Sequence, residues 1–362
     1  MREHIYSVWN WIQKYERHLS SVALFAGFIL DALTMRRVDN LYENSVLMSY
    51  FVMIAFGITA LNYIEAGKYE REWVGRTYHL LPLLIQFAFG GLFSGFTVFY
   101  FRSGSIVSSW PFIVILVSLL LGNEVLKKQY ERLVFQITIF FISLFFFTIF
   151  FVPVLTNAMG PGIFILSGVC ALALIGAFTY FLSRVVPERI HKNKKKLLYA
   201  VFSFYILINI LYFTDLIPPI PLSFKQGGVY HEITRTSTGY TATEETYSGF
   251  ASLQFFKDVH IKKGDPLYVY SAVFAPNNLK TDIVHEWKHF DDETGRWISV
   301  DRIPYTIVGG ADRGHRGYSM KTNLTEGNWS VNVETSRGQV IGRVTFEVIY
   351  DNETPKLEEK IL

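Results

Sequence analysis

Seven apolar runs precede residue 215, each near the roughly 20 residues an α-helix needs to cross a bilayer, and no other feature constrains the fold as strongly. They lie at about 19–35, 45–64, 79–101, 105–122, 133–155, 161–182 and 197–213. "VFQITIFFISLFFFTIFFVPVL" and "GIFILSGVCALALIGAFTYFL" are the clearest, and the fourth is the shortest. The spacing predicts an α-helical membrane bundle of about seven spans over residues 19–215. Half of all residues are hydrophobic, with 32 Phe and 21 Tyr, and the excess over an ordinary soluble domain lies in this half.

Charge gives the runs an orientation. The N-terminus and the second, fourth and sixth loops carry 15 Lys/Arg, whereas the first, third and fifth carry 3. The sixth loop, "SRVVPERIHKNKKK", contributes most. Basic loops stay cytoplasmic, so the N-terminus is expected on the cytoplasmic side and, with seven spans, the C-terminal part outside. Residues 1–18 place Ile5, Val8, Trp9 and Ile12 at helical spacing among basic residues, which predicts an interfacial helix on the lipid bilayer. No small-residue cleavage pattern follows the first run, which is expected to remain as an anchor.

Ionisable groups in lipid are costly and frequently functional. Asp31 in "GFILDALTMRRVDN", Glu65 at the end of the second run and Glu124 at the end of the fourth are the intramembrane candidates, with Asn62, Asn123, Gln86 and Gln136 as polar neighbours. Capping and interhelical hydrogen bonding account for most such residues. A transporter, sensor or membrane enzyme acting through the bundle is the competing reading. The single cysteine, Cys170, sits in an apolar run and permits no internal disulfide.

After "DLIPPIPLSFKQGGVYHEI", a Pro-rich linker at 216–227, the hydrophobic period changes to two. "PLYVYSAVF", "GRWISVDRI", "GNWSVNVET" and "GQVIGRVTFEVIY" alternate between frequent turn signals. Six to eight short strands over residues 228–350 predict an all-β, antiparallel sandwich-like domain of immunoglobulin or fibronectin type. Residues 351–362 read as a polar tail. From residue 222 onward the balance is 16 Lys/Arg to 19 Asp/Glu, without the basic stripe nucleic-acid binding requires.

"DIVHEWKHFDDETGRW" contains His285-Glu286-x-x-His289, the spacing of a zinc protease. That chemistry needs a helix, which brings positions i and i+4 together on one metal. On a strand the two histidines are roughly 13 Å apart, and the surrounding period is that of strands. The pattern is read as coincidence, with no metal, cofactor or catalytic set expected. His231, His260, His285, His289 and His315 are read as scattered surface residues, and "VGGADRGHRG" as a hairpin loop. Trp287, Trp297 and Tyr318, with Trp329, Tyr268, Tyr270 and Tyr305, recur across the strands. Most of these aromatics should form the core, and any on the solvent face would be ligand-binding platforms.

His285-x-Trp287, Tyr318-Ser319-x-Lys321, Gly327-x-Trp329-x-Val331 and Gly338 together resemble the C-terminal domain of the bacterial domain-of-unknown-function family twenty-nine-fourteen. "GFILDALTMRRVD", Asn123-Glu124 and "LIPPIPLSFKQGGVYH" are similar to the multi-pass half that often precedes it. The resemblance implies a bacterial inner-membrane location and this architecture, and it supplies no reaction or catalytic residue. The leading expectation is therefore a non-enzymatic protein whose periplasmic β-domain binds an envelope glycan or a periplasmic or membrane protein partner through Trp287, Trp297 or Tyr318.

Overall fold

The structure, a computed structural model, describes residues 28–29, 31–33, 35, 41–68, 80–103, 106–125, 129, 132–236, 239–246, 257–276, 279–308, 314–351 and 355–362. They divide into two compact units with the main break between Ile217 and Pro218. The interfacial helix expected at 1–18 and most of the first run lie outside the described residues.

The first unit is helical. Its elements are α1 (Leu41–Glu65), α2 (Leu80–Ser103), α3 (Ile106–Val125), α4 (Leu133–Thr156), α5 (Pro161–Val185) and α6 (Pro187–Phe213). Asp31–Leu33 is helical as well. Five of these helices are long and apolar enough to cross a membrane, and α3 contributes the shorter apolar stretch Trp110–Gly122. The centre of the unit is α4, a helix apolar on all sides and buried along nearly its whole length. Its phenylalanines meet rings from five other helices: Phe147 on Phe51 of α1, Phe150 on Phe99 of α2, Phe146 on Phe112 of α3, Phe140 on Phe178 of α5 and Phe145 on Tyr205 of α6. By contrast, α5 and α6 expose Leu166, Val169, Leu174, Phe181, Phe202, Ile206 and Ile210, an apolar surface of the kind that lipid covers.

The basic sixth loop is not a loop. Helix α6 begins at Pro187, ten residues before its apolar run, and only Val186 separates it from α5. Lysine and arginine are good helix formers, and Pro187 stands at the first helical position, where its missing N–H costs nothing. The Lys-rich segment is therefore the first part of α6.

Among the described residues, the second unit has eleven strands in three sheets. These are β1 (Ser223–Tyr230), β2 (Glu232–Arg235), β3 (Tyr240–Glu245), β4 (Lys257–Ile261), β5 (Leu267–Phe274), β6 (Lys280–Asp291), β7 (Arg296–Val308), β8 (His315–Lys321), β9 (Gly327–Thr335), β10 (Val340–Tyr350) and β11 (Leu357–Ile361). The sheet orders are β4-β10-β9-β6-β7, β1-β5-β8 and β11-β3-β2. Odd-numbered side chains of β5, Leu267 and Val269, pack with Trp287, Trp329, Val331 and Phe346 of the five-stranded sheet. Even-numbered ones, Tyr268, Tyr270 and Ala272, pack with Ile233 and Ala242 of the third sheet and with Leu362. The middle sheet is thus covered on both faces, so the expected antiparallel, sandwich-like β-domain is built with a third sheet. All pairings are antiparallel except β4 with β10.

Two boundaries also move. Strand β1 starts within the segment read as linker. The segment read as a polar tail supplies β11, paired to β3 from Leu357 through Ile361, and ends with Leu362 buried.

Candidate functional site

Strand β6 carries the protease-like pattern and sends its side chains alternately to the two faces of the five-stranded sheet. On the inner face, His285 lies between two serines of the middle sheet. Ser271 Oγ of β5 is 2.8 Å from Nε2, and Ser319 Oγ of β8 is 2.8 Å from Nδ1. Trp287 Nε1 donates to the same Ser319 Oγ at 3.0 Å, and Tyr305 OH of β7 lies 2.5 Å from Ser271 Oγ. Burial pushes the imidazole down to about 4 and raises the Tyr305 phenol. The neutral ring donates at one nitrogen and accepts at the other, so each nitrogen is paired with a serine hydroxyl. A hydroxyl beside an imidazole is half of a nucleophile's machinery, but Ser271, His285 and Trp287 have no solvent exposure. No substrate reaches them, and the group acts as a polar rivet joining two sheets.

His289, four residues along the strand, packs its ring 4.9 Å from that of Trp329, with Nε2 3.2 Å from the carbonyl oxygen of Glu326. The two histidines therefore occupy separate environments along an extended strand and cannot share a metal. The expectation of scattered surface histidines fails for His285, and also for His231 and His260, which converge on Glu245. His231 Nε2 is 3.0 Å from one carboxylate oxygen and His260 Nδ1 is 2.9 Å from the other. The His260 amide also donates to Glu245 at 2.6 Å, closing the outer edge of β4. Burial raises the Glu245 carboxyl, and the hydrogen bonds from both histidines outweigh it, leaving the group below the usual carboxylate range.

The outer face of the same sheet is a charged array. Glu286 of β6 accepts from Lys288 Nζ at 2.8 Å and from Asn332 Nδ2 of β9 at 3.1 Å. Glu334 of β9 accepts from Arg302 Nη2 of β7 at 2.6 Å, and Arg343 Nε of β10 donates to Asn332 Oδ1 at 2.8 Å. Glu286, Asn332 and Glu334 are buried beneath their partners, while Arg302 and Arg343 reach solvent. Burial and the negative charge of Glu286 push Glu334 up to about 7, against the pull of Arg302 and Lys288. Burial works upward on Glu286 also, but hydrogen bonds from Lys288, Ser299 and Asn332 prevail and lower it.

Trp297 stands on this face beside Phe290, with ring centroids 5.3 Å apart, and is 41% exposed. Tyr318 is 39% exposed but belongs to the far face of the middle sheet, against Tyr240 and Tyr268. Trp287 is in the core. The three expected binding residues therefore form no common platform, and only Trp297 joins a polar array. The array itself was missed. Its members share one parity on β6 and β9, but their alignment with Arg302 and Arg343 depends on strand register, which one strand read alone does not show.

The intramembrane candidates lie apart. Ser94 Oγ of α2 donates to Asp31 at 2.5 Å, Glu65 pairs with Arg189 of α6, and Asn62 Nδ2 donates to Gln136 Oε1 of α4 at 2.8 Å. Glu124 is on α3 with its side chain outside the described residues.

Residues 280–348, which span β6 to β9 and most of β10, match the model of a family described as protein of unknown function (DUF2914). The match lies within the C-terminal β region. The entire outer array, Trp297 included, falls in the DUF2914 stretch, and so do His285, Trp287 and Ser319. Among solved structures the chain is similar to an immunoglobulin-like protein from Pseudomonas aeruginosa, at 12% identity and TM-score 0.19, covering 36% of this chain and 92% of that one. Another is the Pseudomonas fluorescens alkylpurine DNA glycosylase bound to DNA containing an abasic site analog, at 9% identity and TM-score 0.22, covering 87% and 100%. Similarity at these scores carries no argument about either unit. No curated protein matches the chain.

Proposed function

We propose that this is a multi-pass bacterial inner-membrane protein that crosses the bilayer seven times from a cytoplasmic N-terminus, and that its periplasmic DUF2914 region binds an envelope glycan without catalysis. The observation that carries the reading is Trp297: a half-exposed indole on the same sheet face as Arg302, Arg343, Lys288 and Asn332. Sugar rings stack on an indole, and guanidinium and ammonium groups hydrogen-bond hydroxyls and acidic substituents. Fixed ion pairs beneath hold those donors in place, so little side-chain entropy is lost on binding. The Asp31–Ser94, Glu65–Arg189 and Asn62–Gln136 contacts are local and fit structural roles in the bundle.

Photo-crosslinking in cells tests this. A probe replacing Trp297 is expected to capture a glycan, and a probe at Tyr318 to capture none. Capture of a protein at Trp297 would replace the glycan by a protein partner. Absence of any adduct, from folded and inserted protein, would refute the binding role and direct attention to the bundle and Asp31.

A further inference from the structure

Among the basic residues at the α5–α6 end of the helical unit, some are occupied internally. Arg189 pairs with Glu65, and Lys68 Nζ donates to the Val185 carbonyl at 2.7 Å. Arg184, Lys192 and Lys194 instead line a cleft of about 1130 Å³ between α5 and α6, floored by Ile137 of α4. Its volume exceeds the ~300–1,000 Å³ of common small-molecule sites. All three cations are exposed, and neither Lys192 nor Lys194 has a carboxylate partner among the described residues. Arg184 rests on Tyr180, its Nη2 donating to the phenol oxygen at 2.5 Å and its guanidinium carbon 5.0 Å from the ring centroid. One acid, Glu188, stands at the rim beside His191.

Away from the cations the lining becomes apolar, with Leu172, Ile175, Leu198, Val201 and Phe202. Gly176 leaves the wall open, since a Cβ built there would meet nothing within 4 Å. From Arg184 to Leu172 the cleft follows α5 for roughly 18 Å at 1.5 Å per residue, more than half of a ~30 Å hydrocarbon core. A cationic mouth leading into an apolar trough of that length has the polarity of a lipid and not of a soluble metabolite.

We infer that the α5–α6 cleft holds an anionic phospholipid, its phosphate at Arg184, Lys192 and Lys194 and an acyl chain along Gly176, Leu198 and Val201. Basic pockets between membrane helices take acidic head groups by charge attraction, and Thr179 adds a hydroxyl along the same wall. The inference rests on the membrane-spanning half of the proposed function and is independent of the glycan site.

The full chain, purified in detergent with equimolar phosphatidylglycerol and phosphatidylcholine, is examined by native mass spectrometry. Phosphatidylglycerol is expected to be retained at least about tenfold over phosphatidylcholine. Arg184→Ala and Lys194→Ala should each reduce its retention about fivefold, from the attraction of one basic residue near a membrane surface. Gly176→Leu, which fills the trough without touching a charge, should also reduce it while leaving the thermal midpoint unchanged. Equal retention of both lipids, or retention indifferent to these variants, overturns the inference. Extraction of the chain from membranes by alkaline carbonate would instead overturn the spanning topology itself, so the two failures are separable.

Discussion

A buried neutral histidine is stable only while it stays neutral, and His285 makes that measurable. In the unfolded chain its pKa is near 6.5; in the fold burial lowers it to about 4. Between those values the unfolded state binds more protons, so stability falls as the pH falls. At 1.36 kcal/mol per pKa unit, the full gap costs about 3 kcal/mol, of which roughly 2.5 kcal/mol is lost by pH 4.5. Above pH 6.5 the contribution is complete. His285→Gln removes the titrating group while keeping a donor and an acceptor for Ser271 and Ser319. Urea unfolding of the full chain in detergent, followed by tryptophan emission at pH 7 and 4.5, supplies the comparison. The wild type should lose about 2.5 kcal/mol more than the variant on acidification, because the carboxyl titrations are common to both and cancel. Equal losses would refute the assignment of a sealed, neutral imidazole.

Three further outcomes are expected. Trp287→Phe removes the donor to Ser319 and part of a fully buried ring, and should cost about 2–4 kcal/mol in the same unfolding assay. Gly314→Ala puts a methyl 3.0 Å from the Val273 carbonyl carbon at a φ of +86°; it should cost about 1–3 kcal/mol, visible as a lowered thermal midpoint. Arg302→Ala leaves Glu334 buried beside Glu286 without its guanidinium. Glu334 already keeps its proton to about 7 in the fold, so its contribution to stability is lost as the pH rises from the unfolded carboxyl value through 7. The variant should therefore be destabilised more at pH 8 than at pH 5, by about 1 kcal/mol given the half-exposed arginine, as read from urea midpoints at the two pH values.

The comparison of residues with structure separates two kinds of information. Apolar runs long enough for a bilayer, the change to a period of two after residue 222, and the rejection of zinc at His285 and His289 all follow from periodicity, a property of neighbours in the chain. Five of the runs, the period of two and the extended spacing of the two histidines reappear in the structure because helix and strand place consecutive side chains by local geometry alone. The start of α6 at Pro187 was locally legible too, in a proline followed by helix-forming lysines, but charge suggested a loop. Strand β11 carried no such signal. Its five side chains are exposed, and it is held by the backbone ladder to β3 with one ion pair, Lys360 to Glu244; a ladder made with a distant strand leaves no alternation to read.

What the sequence by itself determined was therefore the division into an apolar helical half and a β half, the candidate spans and most strands. Tertiary structure alone decided which polar residues meet: Ser271 and Ser319 on either side of His285, His231 and His260 on Glu245, Glu286 beside Glu334, and Arg184 with Lys194 over one cleft. The physical reason is register and packing. A one-residue slip in β6 would exchange the rivet with the charged array, and no property of β6 alone shows which strand lies opposite.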